Sequence, residues 1–217
     1  GLKHGEGAAA LREHDADRAA GARTDLALEA HQLAAQGRAA AQIPGVRSSE
    51  EALDFGTLTR LYVESEIGAR ILEKPIGHYT TIQVPRLQER RREVAADVSR
   101  VLAREIEGYL ERAGLAPNAP VLVVGLGNWN ATPDNVGPLT TSKLLVTRHL
   151  HEYRVLDEET LGRMRPVAAL SPGVLGLAGV ETAEIVRGVV ERMKPQYVIC
   201  VDALAARSVE RLGTTFQ

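Results

Sequence analysis

The stretch VVGLGNWNATPDNVGP, residues 123–138, decides how the rest of the chain is read. It leaves an apolar run, passes through Gly125 and Gly127, and enters a polar turn that carries one aspartate, Asp134. Three readings compete: a phosphate-binding loop, a tight connection, or one half of a catalytic site. The two glycines form G-x-G, but Asn130 stands where a third glycine of G-x-G-x-x-G belongs, and no G-K-[ST] follows. That argues against a cradle for a dinucleotide or a nucleoside triphosphate. The glycines still allow backbone amides at a strand end to approach something closely. Taken alone, Asp134 reads as a turn residue or a helix cap ahead of Gly137-Pro138.

The flanking sequence is organised as βαβ units. PVLVVGLGN (120–128) is a buried strand that feeds the glycine turn, and GPLTTSKLLVTRHLHEY (137–153) is expected to be a helix. RPVAALSPG (165–173) is a second strand or loop, ETAEIVRGVVERMK (181–194) a helix, and PQYVICVDALAA (195–206) a third strand. This alternation implies a parallel sheet with right-handed crossovers, so the fold class is α/β, mostly parallel sheet flanked by helices. Ligands of such sheets gather beyond the carboxyl ends of the strands, where both Asp134 and Asp202 fall. Asp202 follows a run of largely apolar residues, where a carboxylate leaving a central strand would need a partner or a task. Two carboxyl groups facing each other resist double ionisation and can share a proton, which suits general acid–base hydrolysis.

The N-terminal half is less regular. Residues 1–22, GLKHGEGAAALREHDADRAAGA, mix alanine with charge and read as a mobile arm or short helix, either a disordered end or a regulatory prosegment. RTDLALEAHQLAAQG (23–37), with Thr24 as a candidate N-cap, starts ambiguously between strand and helix. TLTRLYVES (57–65) and HYTTIQVP (78–85) have the β-branched and aromatic content of strands, and SEIGARILEKPIG (65–77) between them that of a short helix. In residues 86–114, Val94, Val98, Val101, Leu102, Ile106 and Leu110 recur at helical spacing with Gly114 as C-cap, and the arginines and glutamates form a solvated face.

Composition sets the outer limits. The 217 residues are 44% hydrophobic and 25% charged, enough for one main α/β domain with appendages. A net charge of −2 gives no electrostatic reason to bind nucleic acid directly. No apolar run is long enough to span a membrane, and the lone Cys200, expected in the buried core, cannot form an internal disulfide. With no signal peptide visible, the expected compartment is a reducing cytosol.

VVGLGNWNATPDNVGPL, LLVTRHL, ALSPGVLGLAGVETAEIV and ICVDALAARSVERLGTTFQ, in that order, together with RTDLALEAH at 23–31, resemble the germination protease family of spore-forming bacteria. The resemblance runs over residues 22–217. It implies a phosphorylase/hydrolase-like α/β fold with a small N-terminal appendage. It also implies an endopeptidase of the spore core cytoplasm that begins the degradation of small acid-soluble spore proteins. Further implications are a zymogen matured by loss of an N-terminal segment, here residues 1–21 with cleavage near 20–23, a homotetramer, and a site of two aspartates with no cofactor or required metal. Those aspartates correspond to Asp134 in TPDNVGP and Asp202 in VDALAA. The family continues past the TTFQ that ends this chain, so a C-terminal portion is expected to be missing.

Substrate-binding candidates are the amides of Gly125, Gly127 and Asn128, placed to stabilise an oxyanion, Glu181 after the SPGVLGLAG loop, and Arg207 as a cation for an anionic side chain before the scissile bond. His149 and His151 lie two apart and would point to different helix faces, and Ser171 has no evident histidine base. Two rival functions are a hydrogenase-maturation-like, metal-sensing endopeptidase with similar acidic positions plus a downstream histidine, and a peptide-binding module that does not cleave.

Overall fold

The computed structural model describes residues 24–35 and 43–217; the candidate prosegment 1–21 lies outside them. Two compact units form, one from the described residues up to Glu105 together with Leu204–Gln217, the other from Ile106–Ala203.

The first unit is built on an antiparallel sheet, in the order β1 (Val46–Leu53), β2 (Gly56–Val63), β3 (Gly77–Gln83) and β7 (Thr215–Phe216). Strand β1 had no sequence signal, because VRSSEEAL is mostly polar and exposed; its pairing with β2 through a two-residue turn holds it. Alternation along β2 sends Leu61 and Val63 to one face, against Ala27 of helix α1 (Ala27–Ala35) and Leu72 of α2 (Glu66–Leu72). Leu58 goes to the other face, beside its cross-strand partner Ile82 and against Val94 and Val98 of α3 (Leu87–Arg112). Full burial of each such side chain contributes about 1.5–3 kcal/mol. Ser65 accepts the Gly68 N–H at 3.1 Å to start α2, and Glu73 in the left-handed region ends it. The expected helix, strand and long-helix succession is present, with Gly114 (φ +69°) past the end of α3.

One carboxylate here departs from the sequence reading. Glu105, on the face of α3 expected to be solvated, is buried at 8% exposure because Arg60 grips it with two bonds of 2.6 and 3.0 Å. Leu102, expected in the apolar stripe, is exposed. Glu29 is also buried: it accepts from the Thr24 hydroxyl, from Arg207 N at 2.9 Å and Ser208 N at 3.0 Å, and pairs with Arg211 at 3.2 Å. Asp25 accepts the Ala205 N–H at 3.1 Å, and Gln217 Oε1 accepts the Ala27 N–H at 2.7 Å. Residues 24–29 and 205–217, distant in sequence, are thereby tied together.

The second unit carries a parallel sheet in the order β5 (Val167–Leu170), β4 (Val121–Gly125), β6 (Tyr197–Val201). Helix α4 (Val136–Lys143) packs on β4; α5 (Arg148–Glu152), α6 (Glu158–Gly162), α7 (Leu175–Ala178) and α8 (Thr182–Met193) follow. The single helix expected over 137–153 is broken between Lys143 and Arg148. Thr147 is the reason: its N–H donates to Val167 O at 2.9 Å, its hydroxyl accepts from Val167 N at 2.9 Å and donates to Arg165 O, so the backbone is drawn to the β5 end instead of continuing a helix. Strand β4, not β6, is central, and all five of its residues are buried. As the outer strand among the described residues, β6 leaves Cys200 exposed and not in the core; partial burial and then the charge of Asp202 push its thiol pKa up. Among the described residues no helix is long and apolar enough to cross a membrane.

Two predictions follow from the buried carboxylates. Glu105→Ala strands Arg60 with Glu51 as its remaining anion and should lower stability by about 1–2 kcal/mol in denaturant unfolding. Burial raises the pKa of Glu29, but its bonds from Thr24, Arg207 and Ser208 and the charge of Arg211 outweigh this and hold it below the ordinary value. A depressed carboxylate stabilises the fold above its unfolded pKa and loses that contribution as pH falls through the folded one. Unfolding midpoints should therefore drop below about pH 4, with a shallower slope in Glu29→Gln.

Candidate active site

The carboxyl edge of the parallel sheet is assembled from the loops after β4, β5 and β6. The ladder between β4 and β6 pairs Gly125 with Val201 and runs one residue further, where Leu126 N–H donates to Val201 O at 2.8 Å. Gly125 is glycine because a Cβ would stand 2.3 Å from Gly137 O. Gly127 has φ +114°, and its Cβ would stand 2.0 Å from Asp134 O and 3.1 Å from Asp134 Oδ1.

The polar turn closes on itself. Asn128 N–H is shared between Asp134 O at 3.0 Å and Asp134 Oδ2 at 2.8 Å. Asn128 Oδ1 accepts the Asn130 N–H at 2.9 Å, and a short 3-10 turn over Thr132–Asp134 delivers the aspartate. Asp134 does not cap α4, whose cap position is Asn135 without a side-chain bond; the carboxylate turns back to the loop. Oδ2 is committed to the backbone, while no hydrogen bond engages Oδ1 among the described residues.

Asp202 leaves the neighbouring strand. Its Oδ1 accepts the N–H of Ala203 at 2.8 Å. It is exposed, so the desolvation argument made from its apolar run does not apply; the run belongs to an outer strand. The two aspartates thus stand after adjacent parallel strands, each with one oxygen held by a main-chain N–H.

The remaining candidates are distributed unevenly. Of the amides from Gly125 to Asn128, those of Leu126 and Asn128 are spent on Val201 O and Asp134. Gly127 is buried, and its N–H makes no hydrogen bond among the described residues. Glu181 is exposed at the cap position of α8, with no side-chain capping bond. Arg207 belongs to the first unit, where its N–H serves Glu29. His149 and His151 lie on the short α5, and among the described residues no group of three or more His, Cys, Asp or Glu is placed to hold a metal ion. A hydroxyl pair went unnoticed in the sequence: Thr141 Oγ1, buried in α4, lies 2.5 Å from Ser171 Oγ. Ser171 had been weighed only as a nucleophile, and nothing in the sequence joins it to a threonine 30 positions earlier.

Comparison with known proteins is decisive for the family. The family model described as germination protease matches residues 27–217. The chain belongs to the germination protease family. It is 49% identical to the germination protease of Caldanaerobacter subterraneus subsp. tengcongensis over 200 residues, covering 91% of this chain and 58% of that protein. Germination proteases of Bacillus cereus and Bacillus anthracis are each 40% identical, covering 90% of this chain and 53% of theirs. The chain therefore spans about half the length of the curated relatives it matches.

The loop geometry predicts a severe effect at Gly127. Gly127→Ala places a Cβ against Asp134 O at a positive φ, and should cost about 2 kcal/mol or more of stability, measured by denaturant unfolding.

Proposed function

We propose that the complete protein is an endopeptidase of spore germination that hydrolyses small acid-soluble spore proteins, with Asp134 and Asp202 as its acid–base pair. The observation that carries this reading is the exit of both aspartates at the carboxyl edge of adjacent parallel strands, each with one oxygen fixed by the backbone. Membership of a family named for a protease supports the reaction class. The parallel sheet fits the phosphorylase/hydrolase-like fold that the sequence suggests.

In this mechanism a water molecule attacks the peptide carbonyl carbon while one carboxylate takes its proton. The other carboxyl group, protonated, donates to the carbonyl oxygen, giving a tetrahedral diol. Collapse of the diol breaks the C–N bond, and a proton delivered to the nitrogen releases the amine. Gly127 N–H, which makes no hydrogen bond among the described residues, supports the developing negative charge on the carbonyl oxygen. Glu181 is a further proposed substrate contact at this edge. The proposal extends to a zymogen whose residues 1–21 are removed on maturation, to a homotetramer, and to action in the spore core cytoplasm.

The test uses the complete, matured protein and a small acid-soluble spore protein, with fragments identified by mass spectrometry. Asp134→Asn and Asp202→Asn should each lower cleavage by at least about a hundredfold, and the double variant little further, because the pair acts as one unit. Near-normal turnover in either single variant overturns the reading. Cleavage lost to a chelator and restored by nickel would shift it to the metal-sensing alternative.

A further inference from the structure

We propose that Ser171 is a substrate-binding residue whose Oγ accepts a main-chain N–H of the bound peptide; this rests on the reading of the carboxyl edge as a peptidase site. Ser171 is the first residue past β5, whose Leu170 is in register with Val124 of β4. The ladder of β4 and β5 ends there, while β4 runs on to Gly125, which pairs with Val201, the residue before Asp202. Ser171 is exposed at this edge, while its partner Thr141 is buried beneath it.

The contacts of Thr141 bear on the direction of the pair. Thr141 Oγ1 lies 2.9 Å from Pro138 O and 3.3 Å from Gly137 O, both pure acceptors. Its single proton is assigned to the shorter of these contacts, the one to Pro138 O. With that proton so placed, Thr141 accepts at 2.5 Å from Ser171 Oγ, and Ser171 donates. Ser171 has thereby used its only proton and presents lone pairs to solvent. A hydroxyl polarised by the chain Ser171 to Thr141 to Pro138 O is a fixed acceptor, poorly suited to act as a donor and without a base to make it a nucleophile. The complementary group along a peptide is its N–H, one of which recurs at every residue of an extended chain. Gly127 N–H offers the opposite polarity at the neighbouring strand end, so the edge can read both groups of a substrate backbone.

The experiment uses the complete, matured protein and a synthetic peptide spanning one cleavage site of a small acid-soluble spore protein, with a series of single N-methylated analogues. Ser171→Ala should raise KM about three- to tenfold, the scale of one neutral hydrogen bond, with kcat within about twofold and the unfolding temperature unchanged. Ser171→Thr, which keeps the hydroxyl, should restore KM. N-methylation at one peptide position should cost the unmodified protein a similar factor and cost Ser171→Ala nothing more. Unchanged KM in Ser171→Ala, losses that add at every N-methylated position, or a hundredfold fall in kcat at constant KM would each overturn the assignment. Peptide Kd, measured by calorimetry with an analogue whose scissile amide is reduced to an uncleavable methylene-amine, makes the result independent of chemistry. A three- to tenfold weakening there by Ser171→Ala supports the anchor even if the aspartate variants cleave normally and the two-aspartate mechanism fails; no weakening overturns the anchor while leaving that mechanism standing.

Discussion

The hydrogen bond from Leu126 N–H to Val201 O, 2.8 Å long, extends the pairing of β4 and β6 one step past the strands, and the geometry of the carboxyl edge follows from it. Gly137, near the start of α4, packs so closely on this junction that a Cβ would stand 2.5 Å from Val201 O and 2.2 Å from Leu126 O. Helix, central strand and outer strand are therefore locked at one point. An amide bond of this kind contributes about 1 kcal/mol net, but an orphaned carbonyl at the same place costs about 1–3 kcal/mol, so the junction resists displacement more than it adds to stability. From that fixed point Asp134 returns through the 128–134 turn and Asp202 emerges directly.

Charge plays two different parts in the first unit. Arg90 and Arg100 of α3, and Arg86 just before it, form exposed pairs three residues apart, with Glu93, Asp97 and Glu89, and pairs of this type add little to stability. Arg60 with Glu105 and Glu29 with the N–H groups of Arg207 and Ser208 are different, because the carboxylates are buried and every bond they make replaces lost water. Glu29 also joins segments some 178 positions apart. Such a tie is a closure device for the chain and needs no role in chemistry.

At the carboxyl edge, polar groups are used economically. Asn128 N–H, which the sequence offered as an oxyanion donor, holds Asp134 instead, and Leu126 N–H completes the ladder. The groups left over include Gly127 N–H, one oxygen of each aspartate and the lone pairs of Ser171, and the proposed chemistry and substrate contacts draw on these. Leftover hydrogen-bonding capacity at a strand end is a better guide to a site than residue type, since every group already spent can be set aside.

The sequence by itself determined the family and the order of elements. The long motifs around Asp134 and Asp202 are local runs, and the apolar periodicity of PVLVVG, ETAEIVRGVVERMK and the 86–114 helix is written in consecutive residues. Tertiary structure decided what depends on a distant partner. Polar β1 is a strand because β2 pairs with it, Thr147 breaks a helix because Val167 and Arg165 compete for its backbone and hydroxyl, and Glu105 is buried because Arg60 lies opposite. Cys200 and Asp202 are exposed because β4, not β6, took the centre of the sheet, a choice of strand order on which their own neighbours are silent. Ser171 acquired its polarity from a threonine on another element for the same reason: hydrogen bonds are satisfied across space, and a sequence records only the groups that will need them.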